Sequence, residues 1–152
     1  MWLRVFSPVE TEPPPAALAE RLHAAGVPVV PHFKGDDLGW TVGELHLPGG
    51  GTPVMLARYL TKADDLRDDL NAFAAELETM THSPHAVPLM ERVIQTRQLL
   101  TVRRPIDHPN EGLVDTACNE SVRFLATHTG GFYQIDGRGW FDADDVLLVE
   151  EF

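Results

Sequence analysis

Residues 61–80 read TKADDLRDDLNAFAAELETM, the most regular apolar pattern in the chain. Within this stretch the large apolar side chains recur every three or four residues, at Leu66, Leu70, Phe73, Leu77 and Met80. At roughly 100° per residue, these five side chains fall on one narrow stripe of a helix surface. Thr61 and Asp64 have the spacing of an N-cap residue and its reciprocal partner. The stretch therefore predicts an amphipathic helix over residues 61–80 that lies across a core.

A hairpin is predicted immediately before this helix. Residues 40–47 (WTVGELHL) and 53–60 (PVMLARYL) have the alternation of two strands, and a glycine-rich loop separates them. Further along, residues 110–129 predict a second long helix, which Gly130 would end. The turn signal at residues 136–139 predicts a second hairpin.

The whole chain gives the element order β-α-β-β-β-α-α-β-α-β-β-β, in which strands and helices occur in separate runs. This order favours an α+β fold. We expect a single domain over residues 1–152, with a mainly antiparallel sheet of about five to seven strands. Three to four helices are expected to pack mostly on one face of that sheet. A chain of 152 residues is long enough to bury one such core.

The charge of the chain is strongly negative. It has 23 acidic and 12 basic residues, which give a formal net charge of −11 at pH 7. Phosphate groups are bound mainly by Lys and Arg, so nucleic acids and anionic membranes are disfavoured as partners, and a cationic partner is favoured. With a single cysteine, Cys118, no internal disulfide can form, and no apolar run approaches the length of a membrane span. We therefore expect a cytoplasmic protein.

The common local signatures of catalysis are missing from the sequence. It contains no G-x-x-x-x-G-K-[ST] phosphate loop, no G-x-S-x-G elbow, no H-E-x-x-H and no C-x-x-C. Cys118 falls in the middle of a predicted helix, on its inward face, which indicates a core cysteine and not a nucleophile. We therefore expect no cofactor and no catalytic residue that the sequence alone can name.

Two groups of residues could bind a metal ion. His82 and His85 have i,i+3 spacing, which would place both imidazoles on one face if the segment were helical. Asp142, Asp144 and Asp145 could offer oxygen ligands to Ca²⁺ or Mg²⁺. The simpler interpretations are a loop between helices for the histidines and a turn for the aspartates, because Asp is a common turn residue.

The leading hypothesis is a non-enzymatic protein-binding module of the adaptor, inhibitor or neutralising type. On the predicted helix, Asp65, Asp69 and Glu76 line one flank of the apolar stripe, and Asp65 and Asp69 form a like-charge i,i+4 pair. An acidic flank of this kind could dock a basic partner. Aromatic residues of the predicted hairpins, including Trp40 and Trp140, could extend the interface or belong to the core.

Two other classes of function remain open. The first is a small enzyme with a site assembled from distant residues, such as a metal-assisted hydrolase that uses the Asp142 turn or the histidines His32, His46, His82 and His85. The second is a sensor of small ligands with a pocket between the sheet and the helices, lined by Trp40, Tyr59 or Trp140.

Overall fold

The computed structural model describes residues 1–151, and Phe152 lies outside them. The described chain forms one eight-stranded antiparallel sheet and four helices. The strands are β1 (Trp2–Ser7), β2 (Val30–Asp36), β3 (Gly39–His46), β4 (Val54–Leu60), β5 (Gln98–Arg103), β6 (Phe132–Ile135), β7 (Gly139–Phe141) and β8 (Leu147–Glu150). The helices are α1 (Pro15–Ala24), α2 (Arg67–Glu78), α3 (Ala86–Ile94) and α4 (Glu111–Thr129). The strand order is β2-β3-β4-β5-β1-β6-β7-β8, so β1 lies near the centre, between β5 and β6.

Helices cover both faces of this sheet. Side chains alternate along β1, so Leu3 and Val5 pack on one face with α1 and α4, in one hydrophobic core. Phe6 points to the opposite face and packs with α2 and α3 in a second core. All three side chains are fully buried. The central strands therefore need apolar residues on both faces.

The predicted α+β class, antiparallel sheet and element order are confirmed. The sheet has eight strands instead of five to seven, and the helices are divided two and two between its faces instead of lying mostly on one. Strand β5 shows the physical reason. Leu99 belongs to the α2/α3 core, whereas Leu100 and Val102 belong to the α1/α4 core. A nearly continuous apolar strand is typical of a sheet that is covered on both sides.

The prediction that the organising helix begins at Thr61 is wrong, because α2 begins at Arg67. The two residues expected to cap the helix have other partners. The Thr61 hydroxyl donates to the Thr96 carbonyl oxygen at 2.9 Å, and the Asp64 carboxylate accepts the N–H of Leu60 at 2.8 Å. These contacts hold the residues before α2 in a turn. The predicted apolar stripe is nevertheless found in the α2/α3 core.

The predicted boundaries of the second long helix agree with α4. Asn110 is its N-cap residue, and the Asn110 side-chain oxygen accepts the N–H of Leu113 at 3.0 Å. Gly130 follows the last helical residue with φ of 69°, a left-handed conformation that glycine adopts without a steric penalty. Both ends of α4 are therefore encoded locally.

Candidate functional site

A cleft of about 630 Å³ opens between α2 and the sheet, on the α2/α3 face, and we call it the α2 cleft. Its floor comes from three neighbouring strands, β4, β5 and β1, whose register places side chains of one face side by side. Its wall comes from α2 and the turn before it. The lining residues are Trp2, Arg4, Tyr59, Asp64, Asp65, Leu66, Asp69, Phe73, Leu99 and Thr101.

The wall of the α2 cleft carries carboxylates without partners. Asp65 and Asp69 are exposed, and neither carboxylate forms a hydrogen bond or an ion pair with any residue between 1 and 151. Asp64, the third acidic residue of the lining, accepts the N–H of Leu60. The wall therefore presents two carboxylates whose charges are met only by solvent.

The one basic side chain in the lining of the α2 cleft, Arg4, is already neutralised. Its NH1 donates to Asp136 Oδ1 at 2.6 Å and to Gln134 Oε1 at 2.8 Å. Partial burial works to raise the pKa of Asp136, but the hydrogen bonds from Arg4, Gln134 and the Trp2 N–H, together with the positive charge of Arg4, leave that pKa below its usual value. Asp136 is thus held ionised beside Arg4, and the α2 cleft keeps a net negative charge.

Two aromatic side chains of the floor are exposed. Trp2 is 39% exposed and Tyr59 is 38% exposed. The guanidinium of Arg103 lies over the Trp2 ring, with its central carbon 5.4 Å from the ring centroid. This contact shows that the ring can hold a cation against its face. The floor therefore offers flat apolar surface next to the carboxylates of the wall.

The five residues expected from the sequence to bind a partner do not lie together. Asp65 and Asp69 line the α2 cleft, and Glu76 lies outside its lining. Trp40 is 5% exposed in the α1/α4 core, and Trp140 is fully buried in the α2/α3 core. The two tryptophans therefore serve core packing and offer no surface to a partner.

The expected like-charge pair of Asp65 and Asp69 on one helix also needs correction. Asp65 precedes α2, and Asp69 lies in its first turn. An acidic side chain in the first turn is stabilised by the partial positive charge of the helix N-terminus. Repulsion between like charges on one helix is therefore not the feature that distinguishes Asp65 and Asp69. Their shared position in the α2 cleft, without a protein partner, is the relevant observation.

Glu76 lies in a separate acidic cluster. Burial raises the pKa of its carboxyl group, and the negative charges of Glu151 and Asp136 raise it further, against an opposing effect of Arg4. Near neutral pH the ionised form of Glu76 is therefore disfavoured in the folded protein relative to the unfolded chain. The ionised carboxylate of Glu76 in this cluster therefore lowers the stability of the folded protein.

Replacing Glu76 with glutamine should raise the thermal stability at pH 7, by less than about 1 kcal/mol because solvent screens an exposed carboxylate. The gain should shrink as the pH falls through the raised pKa, because protonated Glu76 then carries no charge. Melting curves at several pH values measure both effects. Glu20→Gln is the matched control, because Glu20 is an exposed residue near the middle of α1, and it should show no such gain. A destabilised E76Q protein at pH 7 would contradict this description of the cluster.

His82 contributes to an edge of the sheet. Its Nε2 lies 3.1 Å from the Glu150 carbonyl oxygen, and the Ser83 hydroxyl donates to the Leu148 carbonyl oxygen at 2.8 Å. These side chains cover outward-facing carbonyl groups of β8, the last strand of the sheet. Covering an edge strand limits its pairing with other chains. His82 thus has a structural role at this edge, and His85 is the exposed residue just before α3.

The aspartate-rich segment forms a turn. The Asp142 carboxylate accepts the N–H of Asp144 at 2.9 Å and that of Val146 at 3.0 Å, as is common for aspartate in turns. Elsewhere, on β2 and β3, the rings of His32 and His46 meet edge to face with centroids 5.0 Å apart. Among residues 1–151, no three or more His, Cys, Asp or Glu side chains are grouped so that they could hold a metal ion. The metal-assisted hydrolase stays a prediction.

Cys118 lies in the α1/α4 core, as its position in the predicted helix indicates. Burial raises the pKa of its thiol to about 12, so the thiol is protonated at neutral pH. Within residues 1–151, no helix has the length and apolar character needed to cross a bilayer.

No protein-family model, curated protein or solved structure matches this chain. The case for its function therefore rests on its own residues. The feature that combines exposed aromatic surface with unpartnered charge is the α2 cleft.

Proposed function

We propose that this chain is a non-enzymatic binding module that holds a cationic segment of another protein in the α2 cleft. The observation that carries this proposal is the position of two unpartnered carboxylates, Asp65 and Asp69, in the same cleft as the exposed rings of Trp2 and Tyr59. The adaptor, inhibitor and neutralising types of binding protein all agree with such a site.

The chemistry of the α2 cleft suits arginine or lysine side chains. A guanidinium or ammonium group can pair with Asp65 or Asp69 in a charge-assisted hydrogen bond. The same cation can lie against the face of Tyr59, as Arg103 lies against Trp2. A cationic segment thus supplies both an ion-pair partner for the carboxylates and a cation for the exposed aromatic face. An acidic segment would meet uncompensated repulsion from the wall.

The charge of the whole chain supports the same class of partner. A net charge of −11 attracts a cationic molecule over distances comparable to the Debye length, about 8–10 Å at ordinary salt. This attraction speeds association without selecting a site on the surface. The selection would come from the aromatic floor and the two carboxylates of the α2 cleft.

A synthetic peptide rich in arginine and lysine should bind the full chain saturably in a calorimetric titration. The double variant Asp65→Asn/Asp69→Asn should weaken that binding at least about tenfold, because two charge-assisted contacts are lost. Asp37→Asn/Asp68→Asn is the matched control, since it removes the same charge from exposed aspartates outside the cleft lining. The control should stay within about threefold of the original affinity.

Equal weakening of both double variants would contradict the proposal, because it would show attraction to the overall charge only. A peptide that does not bind at about 50 mM salt, where screening is weaker than at physiological salt, would also contradict it. Both double variants change exposed side chains, so they should fold. Melting curves recorded beforehand establish that they do.

A further inference from the structure

A second cleft, of about 260 Å³, lies on the α1/α4 face, between α4 and the loops around β7, and we call it the α4 cleft. Its lining is polar and consists of Thr116, Asn119, Glu120, Arg123, Arg138 and Asp145. Two of these six side chains are guanidinium groups.

The guanidinium groups of the α4 cleft lack acceptors. Arg123 Nε is buried and has no hydrogen-bond partner within residues 1–151. Its NH1 lies 3.6 Å from Glu120 Oε1, which is too long for a hydrogen bond. Arg138 lies over the Phe141 ring at 5.1 Å, and its side chain forms no hydrogen bond or ion pair in the described chain. Buried donors are normally paired, so the Nε–H of Arg123 is a donor whose acceptor is missing, whereas the guanidinium of Arg138 is exposed.

The carboxylates of the lining do not supply that acceptor, because each is engaged elsewhere. Glu120 Oε2 accepts a hydrogen bond from Arg21 Nε at 2.9 Å. Asp145 Oδ1 accepts a hydrogen bond from the Tyr133 hydroxyl. Burial, together with this bond, raises the pKa of Tyr133 well above its usual value, so the phenol keeps the proton that it donates. Apart from the ion pair of Arg123 with Glu120, the two guanidinium groups therefore keep their N–H donors available for a ligand.

We infer that the α4 cleft binds a small ligand through an oxyanion group, a carboxylate or a phosphate, placed between Arg123 and Arg138. Guanidinium groups present their N–H donors in a fork that matches the oxygens of such anions. Asn119 has an amide without a partner in the described chain and can donate as well. A volume of about 260 Å³ admits a phosphate ion or a small dicarboxylate.

This site is independent of the proposed function. It lies on the other face of the sheet from the α2 cleft and selects the opposite charge. The two clefts share no lining residue, so either can fail without affecting the other.

Titration of the full chain with inorganic phosphate, and separately with malonate, tests the site at constant ionic strength set with sodium chloride. The NMR signal of the Arg123 Nε–H reports the contact directly, and the melting temperature reports the affinity. We expect a saturable shift of this signal with at least one anion. Comparison of the two anions shows whether a phosphate or a carboxylate is preferred.

Arg138→Gln should weaken the anion affinity at least about tenfold. Arg103→Gln is the matched control, because it also removes one exposed guanidinium that lies over an aromatic ring, outside the α4 cleft. The control should stay within about twofold of the original affinity. An Arg123 Nε–H signal that does not shift with either anion would overturn the inference. Equal weakening by Arg138→Gln and Arg103→Gln would overturn it as well.

Discussion

Replacing Leu70 with alanine is expected to lower the free energy of unfolding by about 2–5 kcal/mol. Leu70 is fully buried on the inner face of α2, in the core that joins this helix to the sheet. The change removes apolar side-chain volume and leaves a cavity that the surrounding rings and helices can close only in part. Chemical denaturation, followed by circular dichroism, measures the loss.

Leu38→Ala provides the control for that change, because it is chemically identical but falls on a leucine that is 46% exposed in the turn between β2 and β3. Its cost should stay within about 0.5 kcal/mol. If both variants lost the same small amount of stability, α2 would not be packed on the sheet as described. The floor and wall of the α2 cleft would then not form together.

Replacing Arg58 with methionine is expected to cost about 3–5 kcal/mol. Arg58 is only 4% exposed, and its side chain contacts three separate parts of the chain. The guanidinium donates to Gln98 Oε1 and to the carbonyl oxygens of Leu38, Trp40 and Glu10, the last three at 2.9, 3.2 and 3.1 Å. Methionine keeps much of the side-chain volume of arginine, so the lost stability comes mainly from acceptors that are left without a donor.

Burial lowers the pKa of Arg58, while the nearby carboxylates of Glu12, Asp36 and Glu10 work to raise it. Arg97→Met is the matched control, because Arg97 is an exposed arginine that pairs with Glu10. An exposed pair contributes at most about 1 kcal/mol, so the control should change the denaturation midpoint little. A cost below about 1 kcal/mol for R58M would show that the buried network does not tie these segments together.

The parts of the fold that local chemistry determines were predictable. The boundaries of α4 follow from the side chain of Asn110 and the left-handed conformation of Gly130. The start of α2 was not predictable, because Thr61 and Asp64 match a capping pattern while their actual partners lie outside any helix. A local sequence pattern cannot show whether Thr61 and Asp64 cap a helix or form the hydrogen bonds that the folded chain selects.

The division of helices between two faces has one visible signal in the sequence. The run QLLTVR of β5 is apolar at both odd and even positions, which is typical of a strand covered on both sides. Exposed aromatic surface comes from Trp2 and Tyr59, on β1 and β4.

The two clefts depend on strand order, which the sequence does not reveal. Trp2 and Tyr59 share a floor only because β5 lies between β1 and β4. Arg123 and Arg138 share the α4 cleft because α4 packs above β6 and the turn that follows. Nothing in the local sequence distinguishes these arginines from the other arginines of the chain. Only the lack of acceptors around them in the folded chain does so.

Fluorescence of Trp2 during titration with the cationic peptide tests the α2 cleft most directly. Trp40 and Trp140 are buried, so Trp2 is the exposed tryptophan among the three in the chain. We expect its emission to change saturably, with the same midpoint as the calorimetric titration, and we expect Trp2→Phe to remove that change. Calorimetric binding without any change in Trp2 emission would place the peptide elsewhere and contradict the assignment of the α2 cleft as the binding site.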